Sequence, residues 1–236
     1  MLSVEKVNAG YGKFHVLFDV TTYIESKKMT VIVGPNGSGK STFLKTIFGL
    51  TTVYSGKVLL EGEDITGMPP HRVARKGIAY LPQVGNVFLN LTVKENLLMA
   101  SYTLSEDETR DRLEEVLSYY PLLKRYYNRK ADTLSGGERQ LLAMAMAMMR
   151  RPKVMLFDEP TANLAPKIAL EVLKEIARLR DEHGITVVLV EQNAKRALEC
   201  GDKAVLFVGG RVAFEGLCHE LLNHPELSTL YLGLSR

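Results

Sequence analysis

The sequence holds two cysteines in 236 residues. Cys200 and Cys218 form no CxxC pair and have no metal-ligand companions, which excludes a disulfide framework and a thiolate zinc site. They read as reduced structural thiols in a reducing compartment. Long apolar runs are missing too: the longest in the middle of the chain, Leu141 to Met149, covers nine residues, about half of what a membrane span needs. The start, "MLSVEKVNAGYG", lacks a basic segment followed by an apolar one, so no secretory signal is read there. Excess charge of one sign is also absent. A formal net charge of +3 is too small to argue for nucleic acid as a partner. These absences predict a cytosolic chain that does not cross a bilayer.

The remaining composition is that of a globular protein, 46% hydrophobic and 24% charged, and the length buries a sizeable core. One domain over residues 1–236 is the expectation. Met29 to Val33, Ile78 to Leu81, Val154 to Phe157, Thr186 to Val190 and Lys203 to Val208 are short β-rich runs, most of them apolar on consecutive residues. Strands buried on both faces of a parallel sheet look like this. Helical stretches fall between them, notably Ser41 to Phe48, Lys167 to Glu182 and Ala194 to Cys200. The first two dozen residues and "GKVLLEG" alternate instead, and Gly209-Gly210 before "RVAFEG" signals a hairpin. Between Thr92 and Leu134 the β runs stop. Capping-box patterns pair Thr92 with Glu95, Ser105 with Glu108 and Ser135 with Glu138. The predicted fold is α/β: a P-loop NTPase parallel-sheet core, a flanking antiparallel β layer and a helical lobe inserted at about residues 84–134.

Chemistry concentrates in three places. "GPNGSGKST", Gly34 to Thr42, follows a strand and precedes a helix. Gly34, Pro35, Asn36, Gly37, Ser38 and Gly39 form a loop whose N–H groups can surround phosphates, Lys40 reaches the terminal oxygens, and Ser41 and Thr42 open the helix. Ser41 also offers a hydroxyl to Mg²⁺, so ATP or another purine triphosphate with Mg²⁺ is predicted. "VMLFDEP" delivers Asp158 and Glu159 at a strand end, where ligands of open α/β sheets sit. Asp158 suits Mg²⁺, and Glu159 suits the attacking water. "LSGGERQ" begins a second helix, with Ser135 as its cap and Gly136 and Gly137 leaving its terminus open to an anion. A second anion-binding terminus makes sense when it serves another subunit's site. Met144, Met146, Met148 and Met149 read as core filling, and Lys124, Arg125, Arg129 and Lys130 as a solvated face. The five histidines read as surface or turn residues.

In this order and spacing the motifs resemble those of the ATP-binding subunits of ATP-binding cassette (ABC) transporters over nearly the whole length. The resemblance implies a Tyr11 ring on adenine, Gln83 of "YLPQ" at the magnesium site where the lobe begins, and a signature at Leu134 to Glu138 that closes over nucleotide on the opposite subunit. It also implies transmembrane permease subunits as partners and residence at the cytoplasmic side of the membrane. "AYLPQVGNVFLNLTVKENL", "DEPTANLAP" and "LVEQNA" are most similar to subunits of branched-chain amino acid uptake systems. Subunits for urea or short-chain amides look much the same. A soluble ABC ATPase and a phosphotransferase on the same loop are the other readings.

Two departures from that family's pattern bear on assembly. Its histidine facing the γ-phosphate is replaced by Gln192, and Ala165 stands where its dimer-contact loop has an aspartate. Glutamine donates a hydrogen bond but carries no positive charge, which predicts weaker closure at this chain's own site. With Ser135, Gly136 and Gly137 intact, a heterodimer with a second, histidine-bearing cassette is expected, and a homodimer in which Gln192 does the histidine's work is the alternative.

Overall fold

The computed structural model describes residues 1–224; residues 225–236, which fall within the single-domain expectation, lie outside the described residues. In chain order the elements are β1 (Leu2–Tyr11), β2 (Phe14–Ile24), β3 (Met29–Val33), α1 (Lys40–Ile47), β4 (Thr52–Leu60), β5 (Glu63–Asp64), α2 (Pro70–Arg75) and β6 (Ile78–Leu81). There follow α3 (Val93–Ala100), α4 (Glu106–Tyr119), α5 (Pro121–Arg125), α6 (Gly136–Met148), β7 (Val154–Asp158), α7 (Pro166–Asp181) and β8 (Thr186–Val190). The described part ends with α8 (Ala194–Cys200), β9 (Lys203–Val208), β10 (Arg211–Leu217) and α9 (Cys218–Asn223).

Two sheets form. The larger has the order β10-β9-β3-β8-β7-β6, and the smaller β2-β1-β4-β5. In the larger sheet β3 pairs in parallel with β8 and β9, β7 with β6 and β8, while β10 turns back antiparallel on β9 across Gly209 and Gly210. The smaller sheet is antiparallel throughout. Every residue of β3, β7 and β8 is buried, as runs of Val, Ile, Leu and Phe without alternation require when both faces are covered.

Side chains alternate across that sheet and divide the interior into two cores. Val31, Val33, Met155, Phe157, Val187 and Leu189 face one way, into a cluster with the lobe residues Val93, Leu97, Val116 and Leu123 and with Met144, Met148 and Met149. Ile32, Val154, Leu156, Val188, Val190 and Phe207 face the other way, onto the smaller sheet and α1. The methionines of α6 therefore fill core, as their spacing implied; Met146 packs at its margin.

The inserted lobe consists of α3, α4 and α5, and all three capping boxes read from the sequence are formed. Its entry loop is fixed by an amide: buried Asn96 accepts from the Phe88 N–H at 2.8 Å and donates to the carbonyls of Phe88 and Thr92 at 3.0 and 2.9 Å. Both cysteines are unpaired, and burial, with Asp202 nearby, pushes the Cys218 thiol up to about 12. Lys124, Arg125, Arg129 and Lys130 are exposed. No helix among the described residues is long and apolar enough to cross a membrane.

Candidate active site

Four parallel strands end at one edge of the larger sheet, and each delivers part of a single cleft. From β3 the chain enters the loop Gly34 to Gly39, which turns through left-handed backbone at Gly37 and Gly39 (φ 76° and 101°) before α1 begins. Gly34 has a further reason: a Cβ there would lie 2.1 Å from the Phe207 carbonyl oxygen on β9. Such an approach admits only hydrogen. Lys40 sits inside the loop, its Nζ donating to the Gly34 and Pro35 carbonyls at 2.9 and 3.0 Å. Burial pushes this ammonium below its ordinary value, and Glu159 and Asp158 pull it back up.

At the end of β7, buried Asp158 accepts from Ser41 Oγ at 2.7 Å and from the Tyr80 hydroxyl at 2.9 Å, one bond to each oxygen. Burial, followed by the negative charge of Asp158, raises the Tyr80 phenol, so Tyr80 stays a donor. Glu159 follows with φ 49°, a left-handed conformation rare for a side chain of its size. Its N–H donates to the Val190 carbonyl at 3.0 Å, which pins the turn to β8. Gln83, two residues past β6, donates through Nε2 to Glu159 at 3.2 Å. Gln192 follows β8 by two residues. A cleft of about 530 Å³ is lined by Asn36, Lys40, Ser41, Gln83, Glu159 and Gln192, among others. Tyr11, half exposed at the end of β1, reaches its edge, with its hydroxyl 3.4 Å from Thr42 Oγ1. None of the five histidines lines this cleft; His15 and His183 stack on nearby aromatic rings instead.

The paired oxygens of Ser41 and Asp158 suit a small hard cation. One hydroxyl and one carboxylate leave most of the coordination shell to water and phosphate, which is how Mg²⁺ is usually held. No group of three or more Asp, Glu, His or Cys among the described residues offers an all-protein cage.

The "LSGGE" segment lies elsewhere. Ser135 caps α6, accepting from the Glu138 N–H at 3.3 Å while Glu138 accepts from the Ser135 N–H at 2.7 Å. A Cβ on Gly136 or Gly137 would lie 2.6 Å from the tip of the Leu164 side chain or from a methyl of Ile168, so these glycines leave room for those two side chains. Ser135, Gly136 and Gly137 line a second cleft of about 620 Å³ with Asn163 and Ala165, and the two clefts have only Gln83 in common. Ala165 stands at the N-cap of α7 and gives no side-chain cap, with Pro166 supplying the first helical residue. An aspartate there would accept from the first-turn N–H groups and stabilise by roughly 1 kcal/mol.

Sequence reading missed two groups. Tyr80 is spread along an ordinary apolar strand pattern, and only the fold brings it to Asp158. Glu191 directly follows the run Thr186 to Val190 and belongs to none of the three motifs; it is 2% exposed and accepts from Thr161 N, Thr161 Oγ1 and Gln192 N at 3.1, 2.8 and 3.2 Å.

The sequence model of one family, described as ABC transporter, matches residues 17–162. The chain belongs to the ABC transporter family. It is 53% identical over 99% of both chains to the probable branched-chain amino acid transport ATP-binding protein LivF of Archaeoglobus fulgidus. A second protein of that organism, the probable branched-chain amino acid transport ATP-binding protein LivG, is 31% identical over 99% of this chain and 95% of its own. The dimeric structure of MJ0796, a bacterial ABC transporter cassette, superposes with a TM-score of 0.78 at 28% identity, covering 92% of this chain and 99% of that one. As a member of this family the chain is an ATP-binding subunit that hydrolyses ATP to drive a membrane transporter. The expected α/β cassette fold stands, and the phosphotransferase reading is set aside.

Proposed function

We propose that this single cassette, residues 1–236, drives uptake of branched-chain amino acids from the cytoplasmic side of the cell membrane, to which permease subunits attach it. The ATPase part of this reading is carried by the convergence of Lys40, Ser41, Gln83, Glu159 and Gln192, from four separate strand ends, on one cleft, and the substrate part by the 53% identity to the protein of Archaeoglobus fulgidus named for branched-chain amino acid transport. In this reading Gly34 to Thr42 hold the phosphates of ATP, Tyr11 stacks on adenine, and Ser41, Asp158 and Gln83 hold Mg²⁺. Bound Mg²⁺ would neutralise charge on the β- and γ-phosphates. Glu159 accepts a hydrogen bond from the attacking water and orients it. Gln192 donates to the γ-phosphate, and Ser135, Gly136 and Gly137 close over nucleotide held by a second cassette. A groove of about 340 Å³ beside edge strand β6, between Tyr80, Pro82, Tyr102 and Met146, supports a permease contact next to Gln83. Membranes from cells lacking the gene should lose uptake of labelled leucine, and the wild-type gene should restore it. Full uptake without the gene would overturn the substrate assignment.

The second cassette is a different chain in this reading. Archaeoglobus fulgidus has two proteins named for this transport, and this chain is 53% identical to one and 31% to the other. Gln192, a neutral donor, weakens this chain's own site, whereas Ala165 lies in the other cleft beside a complete signature segment and bears on the contact with the partner cassette. Hydrolysis by the chain alone is expected to be at least tenfold slower than by the co-expressed pair, and Gln192→His should raise it, because a charged donor recovers roughly 1 kcal/mol or more over a neutral one. Ser135→Arg should silence the pair. Equal rates for chain and pair, no gain from histidine and no loss from arginine would together overturn the asymmetric reading.

A further inference from the structure

Glu191 is a buried carboxylate for which the reaction, as described above, has no use. No cation pairs with it among the described residues; three donors satisfy it instead, and they come from two segments. Thr161 contributes its N–H and its hydroxyl to Oε1, and Gln192 its N–H to Oε2. Burial raises this carboxyl above its ordinary value, against the opposing hydrogen bonds of Thr161 and Gln192. A group held in this way is costly to keep unless its partners must be held.

Those partners are informative. Thr161 opens the segment that runs to Ala165, whose Asn163 takes a left-handed φ of 61° and whose later residues line the cleft with Ser135 to Gly137. Gln192 lines the other cleft, beside Lys40 and Glu159. One carboxylate therefore bridges a residue facing this chain's phosphate loop and the start of a segment facing the signature. The Glu191 N–H also donates to the Ile32 carbonyl at 3.4 Å, which anchors the bridge to the strand preceding the phosphate loop. We propose that Glu191 is a positioning residue that locks Gln192 to the Thr161–Ala165 segment, so that the γ-phosphate side of one site and the signature-facing segment move as one unit. The proposal rests on the roles given above to Glu159 and Gln192.

The test uses the full chain with enzyme in excess of ATP, so that hydrolysis at its own phosphate loop is followed in a single turnover. Glu191→Gln keeps the shape and one acceptor but turns an NH₂ towards the Gln192 N–H, setting donor against donor. It should slow the single-turnover rate about tenfold, the loss of roughly one charge-assisted hydrogen bond, while binding of a fluorescent ATP analogue stays within about twofold. Thr161→Val should slow it similarly, Thr161→Ser should retain the wild-type rate, and the double variant Glu191→Gln/Thr161→Val should be no slower than either single one, as for two ends of one link. A full rate in Glu191→Gln, additive losses in the double variant, or a joint fall in nucleotide affinity and melting temperature would each overturn the lock. Glu159→Gln and Gln192→Ala are run alongside. If both leave the rate unchanged, the reading of the site fails; if they slow it and Glu191→Gln does not, only the lock fails.

Discussion

Lys40→Ala is expected to reduce ATP turnover at least a hundredfold. The ammonium donates to the Gly34 and Pro35 carbonyls inside the loop, and with nucleotide bound it exchanges these neutral acceptors for phosphate oxygens. Each hydrogen bond to a charged group contributes roughly 1.5–3 kcal/mol, so losing two corresponds to about two to four decades in rate or affinity. Alanine also leaves the two carbonyls without their donor. A modest drop in melting temperature should accompany the loss, and it should be much smaller than the kinetic effect. Comparing the ATPase rate and the affinity for a fluorescent ATP analogue with the melting curve separates the two. Undiminished hydrolysis in a folded variant would remove the phosphate-loop assignment and everything built on it.

Glu159→Gln should act on the chemical step alone. The substitution preserves the side-chain shape, the Glu159 N–H to Val190 bond and an acceptor for Gln83. What disappears is the negative charge that orients and polarises water, an effect of roughly 10²- to 10⁴-fold for a general base. MgATP should therefore bind as before and accumulate uncleaved, with the signature segment of one chain closed on nucleotide held by another. Size exclusion with light scattering should show an ATP-dependent dimer, of this chain with itself or with its partner cassette, that disperses when ATP is exchanged for ADP. Hydrolysis close to wild type would reassign the base, and a monomer at every nucleotide concentration would overturn the closed dimer.

The architecture was largely legible in the sequence because its elements obey local rules. The five-residue runs Met29–Val33 and Thr186–Val190, four apolar residues and one threonine each, are buried on both faces, and Thr92, Ser105 and Ser135, each with Glu three residues on, form capping boxes. Strand order was not legible, since nothing in β3 announces that β8 and β9 flank it. The site divides along the same line. The phosphate loop is contiguous and its spacing carries its own geometry, whereas Tyr80 meets Asp158 across 78 positions and Glu191 meets Thr161 across 30. Glu191 in particular looked like the polar end of a strand, because its three donors come from groups that any residues in those turns possess or that Thr161 supplies from another loop.

The position of β3 between β8 and β9 also governs how this protein is made. The strand that feeds the phosphate loop leaves the ribosome early, yet about 150 residues separate it from β8, the first of its two neighbours to be synthesised. At typical translation speeds of about 5–20 residues per second, that interval lasts roughly 8–30 s. Through it the apolar run Met29–Val33 can rest against the smaller sheet and α1, already synthesised, but has no edge to pair with. Nucleotide binding is thus among the last properties a nascent chain acquires, and ribosome-bound chains arrested before Thr186 should neither retain ATP nor resist protease within Met29–Val33.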